Sequence, residues 1–353
     1  MASHAVRALR PFTRPRSADV VVITGASAGV GRATARAFAR RGARVGVIAR
    51  DADALAATCR EIEALGTHAA HCVADVADAG AVDTAAALLE ERLGPIDVWV
   101  NNAMTTVVSP VAELPADEIR RVTEVTYLGA VHGTLAALAR MRARNHGTIV
   151  QVGSALAYRA IPLQAAYCAA KFAVRGFTDA LRTELLHERS KIRLTMVQMP
   201  AINTPQFDWC RTRMPHEPQP VPPVFQPEVA ARAIVWAAHH APRELLVGGP
   251  TVAAVWLNKF FPGLADRYLA RTGYAAQQTA TPVARDRRDN LFEPVRGDPG
   301  AHGRFDAVAR PTSLVAWLAM HRPQAAVALT AGVALALALG RRADRKSRAG
   351  WPP

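Results

Sequence analysis

Between residues 18 and 250, short unbroken apolar runs rich in valine and isoleucine alternate with longer stretches of helical periodicity. The runs at 18–24, 43–50, 68–76, 96–103, 147–154, 191–199 and 244–249 predict seven strands. The stretches at 30–42, 51–66, about 77–93, 115–143, 164–188 and 228–241 predict helices, the first closed by Gly42. The strands lack strict alternation of polar and apolar residues, as expected when helices cover both faces of a sheet. Strand–helix units of this length imply right-handed crossovers. The predicted fold class is therefore α/β, a doubly wound parallel sheet of about seven strands.

The loop TGASAGVGRA (24–33) joins the first strand to the first helix. Gly25 permits the tight turn, Gly29 lets the backbone approach a pyrophosphate, and Gly31 lets helix and sheet pack closely. The helix N-terminus would face the phosphates with its unpaired N–H groups. In this position the loop predicts a Rossmann-type dinucleotide site. The second strand ends IAR, placing Arg50 where an acid would hold the ribose hydroxyls of NAD. A guanidinium suits a 2′-phosphate, and Arg32 adds positive potential, so NADP is expected in preference to NAD. Asp51 either pairs with Arg50 or takes the ribose. Asp75 ends the third strand, where it either accepts a hydrogen bond from the adenine amino group or caps the next turn. Asn101 and Asn102 end the fourth strand, where they either tie adjacent strand ends and face the cofactor ribose or form a turn.

Ser154 ends the fifth strand, and YCAAK (167–171) lies in the next helix. Tyr167 and Lys171, four residues apart, project from one helical face. A tyrosine hydroxyl titrates too high to carry protons at neutral pH, and a nearby ammonium favours its phenolate. Lys171 can also hydrogen-bond the nicotinamide ribose, and Ser154 can hold the substrate oxygen as hydride moves.

With the glycine loop, Arg50, NNA, Ser154 and YCAAK in this order, the chain resembles the short-chain dehydrogenase/reductase family, in its single-domain NADP-preferring branch. The resemblance covers about residues 18–250 and includes PAINT (200–204). It implies a Ser–Tyr–Lys mechanism for reversible alcohol/carbonyl conversion on a hydrophobic small molecule, NADP as cofactor, and a homo-oligomer. It also implies cofactor contacts from Thr24, Ser27, Val30, Val76 and Ala103, with Ile202 and Thr204 at the nicotinamide carboxamide. Three positions depart from the family pattern: Met104 replaces the glycine of NNAG, Ala201 replaces the glycine after Pro200, and Thr126 stands where the family has its catalytic asparagine. That asparagine is thought to hold a relay water, which threonine can bond with fewer donors. A competing reading is a cofactor-binding, membrane-tethered or redox-responsive protein with little turnover.

Residues 200–227 hold eight of the 24 prolines and predict an irregular loop over the site. Phe207, Trp209, Met214 and Phe225 would line a pocket there or pin the loop. Beyond it, a helical pattern at 251–272 gives way to RDRRDNLFEPVRGDPGAHGRFD, which is expected to be extended. The predicted organisation is a basic arm (1–17), a dinucleotide-binding catalytic domain (18–250), an extension (251–312) and an apolar helix with a basic tail (313–353).

The formal charge of +14 lies largely on the ends, with +4 in residues 1–17 and +4 in 341–353. Without interleaved aromatic residues, these tails argue against nucleic-acid binding and suit an anionic surface or simple solvation. Cys59, Cys72, Cys168 and Cys210 have no metal-like spacing, so reduced thiols and no metal are expected. The N-terminus lacks a secretory apolar core, and a cytoplasmic location is expected. The uncharged run AAVALTAGVALALALG (325–340), flanked by Arg322 and Arg341, is 16 residues long. As a helix it reaches about 24 Å, short of the ~30 Å hydrocarbon core. It predicts either membrane association through residues 325–340 or a packing helix.

Overall fold

The computed structural model describes residues 19–321; the N-terminal arm, the run at 325–340 and the basic tail lie outside them. The strands are β1 (Val20–Thr24), β2 (Arg44–Ala49), β3 (Ala69–Val73), β4 (Val98–Asn101), β5 (Thr148–Ser154), β6 (Arg193–Met199) and β7 (Glu244–Leu246). They form one parallel sheet in the order β7-β6-β5-β4-β1-β2-β3. This is the predicted doubly wound Rossmann-type architecture.

The absence of alternation in the sequence has its expected cause. Val21 and Ile23 pack with α1 (Gly29–Ala39), α2 (Ala52–Ala64) and α7 (Pro227–His240). Val20 and Val22 belong to the opposite core, with α3 (Ala79–Leu93), α5 (Gly129–Arg144) and α6 (Ala165–His187). Successive residues point to opposite faces, and both faces are buried. Asp51 and Asp78 fix the starts of α2 and α3 by accepting from Ala54 N (2.9 Å) and Ala81 N (3.0 Å).

The helical stretch predicted at 115–143 runs without a break over 116–144 but is not α-helical throughout. A π-helical turn at Glu124–Leu128 separates α4 (Ala116–Thr123) from α5. Strand β7 is only three residues long, because the backbone turns at Gly248 (φ +91°) directly into α8 (Gly249–Phe260). A second helix, α9 (Pro262–Thr272), completes a hairpin. The extension then returns across the carboxyl ends of the strands, pairing Gln278–Pro282 with His216–Pro218, and ends in α10 (Leu314–Met320). Among the described residues, no helix is long and apolar enough to cross a membrane.

Behind β4, fully buried Trp99 donates from Nε1 to Asn101 Oδ1 (2.7 Å). Helix α5 approaches this pair at Gly133, where a Cβ would stand 2.1 Å from Asn101 Oδ1 and 2.7 Å from Trp99 Nε1. Gly133→Ala should therefore destabilise the fold by about 1–3 kcal/mol, lowering Tm by a few degrees in a domain of this size. Thermal unfolding checks this, and an unchanged Tm would mean that α5 stands clear of β4.

Candidate active site

The site opens where β1 and β4, neighbours in the sheet, send their chains to opposite faces. Thr24 and Asn102 hold the two strand ends. Thr24 Oγ1 accepts from Asn102 N (3.0 Å) and Ala103 N (3.2 Å), while Asn102 Nδ2 donates to Thr24 O and Gly25 O (both 3.0 Å). Two glycines of the loop that follows Thr24 leave no room for a side chain. Gly25 has φ +66°, and a Cβ on it would lie 2.7 Å from Ala103 Cα; one on Gly31 would lie 2.2 Å from Gly25 O.

A cavity of about 570 Å³ runs from this loop to the extension. Ser27, Gly29 and Val30 line it, as do Asn102, Ala103, Ile202 and Thr204. Thr24, Gly31 and Asn101 do not, although the sequence reading gave them to the cofactor. Thr24 and Gly31 shape the loop from behind. Asn101 faces the other way, donating to Thr134 Oγ1 (2.9 Å) within a buried polar cluster.

Arg50, Asp75 and Val76 line the far end of the cavity. Here the structure adds something the sequence did not predict. Residues 289–300 form a strap along the cleft, and Arg50 donates to the main-chain carbonyls of Asn290, Leu291 and Phe292, the last at 2.6 Å. Arg121 Nε donates to Leu291 O (3.0 Å) and its NH2 group pairs with Asp75. Leu291 is fully buried against Val107, Val122, Ala166 and Tyr167. Farther along, Asp298 pairs with Arg32, and Gly300 O accepts from Gly29 N (3.2 Å).

Several expectations are corrected accordingly. Arg32 is buried between Glu61 and Asp298, so its charge is matched rather than offered to a phosphate. Asp75 takes the second of its two expected roles, capping its turn through Ala77 N (3.0 Å), while its other oxygen binds Arg121. Asp51 does not pair with Arg50. Its Oδ1 caps α2, and its buried Oδ2 has no hydrogen-bond partner among the described residues. A carboxylate oxygen without a partner, a side-chain-free glycine cradle and the N-terminus of α1 together fit a dinucleotide with its ribose toward Asp51.

Ser154, Tyr167 and Lys171 meet on one wall of the cavity. Ser154 Oγ accepts from Leu156 N (3.1 Å). Lys171 Nζ donates to Val152 O (2.8 Å) and stands 5.6 Å from the Tyr167 ring centre. Burial drives the Tyr167 hydroxyl well above the ordinary phenol range, and a hydrogen bond with Ser154 opposes that shift. In this geometry the Lys171 ammonium donates to Val152 O rather than to the Tyr167 hydroxyl. Burial also pushes Lys171 down to about 8.

Thr126 does not reach the cavity. It lies in the π turn, where its hydroxyl donates to Thr105 O (2.9 Å) and accepts from Thr105 N (3.1 Å). Its single donor is therefore already engaged. Residues missed by sequence reasoning include Arg121 and the strap, along with Gln164 and Gln277, which join across the cavity wall at 2.7 Å. Four cysteines are buried and free, and no metal-binding cluster occurs among the described residues.

Comparison with known proteins agrees with this geometry. A family model described as short chain dehydrogenase matches residues 19–213. An uncharacterized oxidoreductase, YxnA, of Bacillus subtilis is 32% identical over 266 residues, which are 75% of each chain. A 3-dehydrosphinganine reductase of Danio rerio is 32% identical, over 61% of this chain and 67% of its own. Among solved structures, an alcohol dehydrogenase of the archaeon Thermococcus sibiricus complexed with 5-hydroxy-NADP has a TM-score of 0.56. It is 28% identical, covering 65% of this chain and 95% of its own. An actinorhodin polyketide ketoreductase with NADPH has a TM-score of 0.59 at 28% identity, covering 66% and 97%.

The buried lysine sets a stability test. Its folded pKa of about 8 lies below the ordinary 10.5, so between these values the unfolded chain binds more protons. Stability from this group therefore rises with pH across that window. Without added cofactor, the parent should gain stability from pH about 8 to about 10, and Lys171→Met should lack the gain. Superimposable stability–pH curves for the two would show that Lys171 titrates normally.

Proposed function

The chain belongs to the short chain dehydrogenase family and is a nicotinamide-dependent oxidoreductase, and on that premise we propose that it interconverts a hydrophobic ketone or aldehyde and its alcohol with NADP(H), using Ser154, Tyr167 and Lys171. The observation that carries this reading is the convergence of those three side chains on the cavity wall beside the glycine loop. When bound, the nicotinamide supplies or accepts the hydride. Ser154 holds the substrate oxygen. Tyr167 gives its hydroxyl proton to that oxygen during reduction, and Lys171 favours the phenolate that results. For this, the Lys171 ammonium, which donates to Val152 O, would also serve the cofactor ribose. With a dinucleotide bound, Ser27 and the α1 N-terminus would hold the pyrophosphate, Asp51 the adenosine ribose, and Ile202 and Thr204 the carboxamide.

Arg50 supports NADP over NAD, as do the two similar structures that contain NADP-type cofactors. The substrate end supports an apolar molecule, since Met104, Val108, Leu156, Ile161 and Leu269 line it. Homo-oligomer formation and membrane contact through 325–340, which lies outside the described residues, belong to the same proposal. One observation favours the second reading, a cofactor-binding protein with little turnover: the engagement of Thr126 by Thr105.

Two measurements decide between them. In a screen of hydrophobic carbonyl compounds followed by NADPH absorbance, Tyr167→Phe should lower turnover by about 10²-fold or more. Full activity of Tyr167→Phe on a verified substrate would overturn the mechanism, and no turnover of any compound by the parent would favour the second reading. Titration calorimetry should show tighter binding of NADPH than of NADH, a difference that shrinks in Arg50→Ala and at high salt. Equal affinities in the parent would remove Arg50 from this role.

A further inference from the structure

The hairpin of α8 and α9 carries an unusual outer surface. Trp256, Phe260, Phe261, Leu264 and Tyr268 are each more than half exposed. They are contiguous. Trp256 and Phe260 stack with centroids 5.6 Å apart, Phe261 follows at 6.5 Å, and Leu264 and Tyr268 continue the stripe one and two turns into α9. Large apolar patches on a soluble domain mark interaction surfaces rather than chance exposure.

The charges beside the patch have one sign. Lys259 Nζ lies 5.4 Å from the Trp256 ring centre and 5.9 Å from that of Phe260. Arg267 and Arg271 are exposed on α9. The hairpin's only acid, Asp266, is already paired with Arg159. Aromatic residues interleaved with exposed cations suit the headgroup boundary of an anionic bilayer. The inner side of the same hairpin walls the cavity through Ala254, Leu269 and Thr272, and Tyr268 belongs to both surfaces.

We propose that the outer face of the α8–α9 hairpin docks on an anionic lipid surface, so that the cavity opens at the bilayer and takes its apolar substrate from it. The docking rests on the patch alone, whereas substrate entry rests on the function proposed above. Two other occupants are disfavoured by charge. A second copy would bring Lys259, Arg267 and Arg271 against their own equivalents. The remainder of this chain, residues 322–353, carries Arg322 and a tail of +4 around its apolar run, so it too would add like charge. An anionic membrane satisfies the hairpin and that tail together. The chain also leaves the described structure beside the hairpin's base, since Val315 of α10 lies against Gly249.

The full-length chain can be tested with an environment-sensitive nitrobenzoxadiazole group on Leu264→Cys, because the four natural cysteines are buried. A control group on Leu186→Cys reports from the last turn of α6, which leads into the amino end of β6, whereas the hairpin follows the carboxyl end of β7. Vesicles of phosphatidylcholine containing phosphatidylglycerol should brighten the group at 264 about threefold or more and leave that at 186 unchanged. High salt should reduce the response. Trp256→Ser/Phe260→Ser/Leu264→Ser should lower vesicle binding by about tenfold or more, given the apolar area removed. The same variant should retain NADPH affinity and should turn over a vesicle-borne ketone more slowly than the parent, but a detergent-dispersed one equally well.

Three results would overturn the docking. The group at 264 could ignore every vesicle, brighten with protein concentration alone, which marks a second copy, or be bright without lipid, which marks cover by the chain's own tail. Vesicle docking without turnover of any ketone would sink the functional reading and leave the docking intact.

Discussion

Adjacent parallel strands normally leave no room between them, and the crevice beyond β1 and β4 persists because polar groups occupy its floor. Thr24 and Asn102 satisfy four main-chain groups between them, so the loops above cannot collapse without stranding donors and carbonyls in a buried setting. Leaving one such group unpaired costs about 1–3 kcal/mol. A second polar layer lies behind the first. Thr134 Oγ1 accepts from both Asn101 Nδ2 (2.9 Å) and Gln151 Nε2 (2.8 Å), tying α5 to β4 and β5. The glycine loop, the α1 N-terminus and the Ser154 strand end take their positions from this floor.

The strap closes the opposite side by a different principle. Arg50 and Arg121 donate largely to main-chain carbonyls, which are dipoles rather than charges. Burial lowers the Arg50 pKa, but guanidinium titrates so high that it stays charged. Its charge is therefore available to the cleft while its geometry is fixed by the extension. Arg32 is the contrast, since it is almost fully buried and pairs with two carboxylates as well as donating to Ser27 O. A buried cation without partners would be strongly unfavourable, so Glu61 and Asp298 serve α1 packing and strap attachment at once.

The sheet was legible in the sequence because burial on both faces leaves short valine-rich runs that no helix would produce. Cavity-lining residues were legible where a motif coincides with a strand end, as at Gly25 and Ser154, or with a helical spacing, as at Tyr167 and Lys171. Reading failed one residue at a time where direction mattered. Asn101 ends β4 and Asn102 follows it, and only Asn102 faces the cleft. The strap was invisible because its recognition uses carbonyls, which every residue carries, and its charged, glycine- and proline-rich sequence reads as loop. The π turn was hidden for a related reason: EVTYLGAV has ordinary helical character, and the extra residue shows only in the main-chain bond from Gly129 N to Glu124 O, five residues back.

The distance along the chain between Arg50 and its partners gives the strap a place in time. Asn290 follows Arg50 by 240 residues. At a synthesis rate of ~5–20 residues per second, that separation is on the order of 10–50 s. All seven strands precede the strap in the chain, so the sheet and glycine loop can emerge and fold first. During translation the nucleotide groove therefore passes through a stage with one wall missing, when a dinucleotide could settle from the side before the last segment is laid across it.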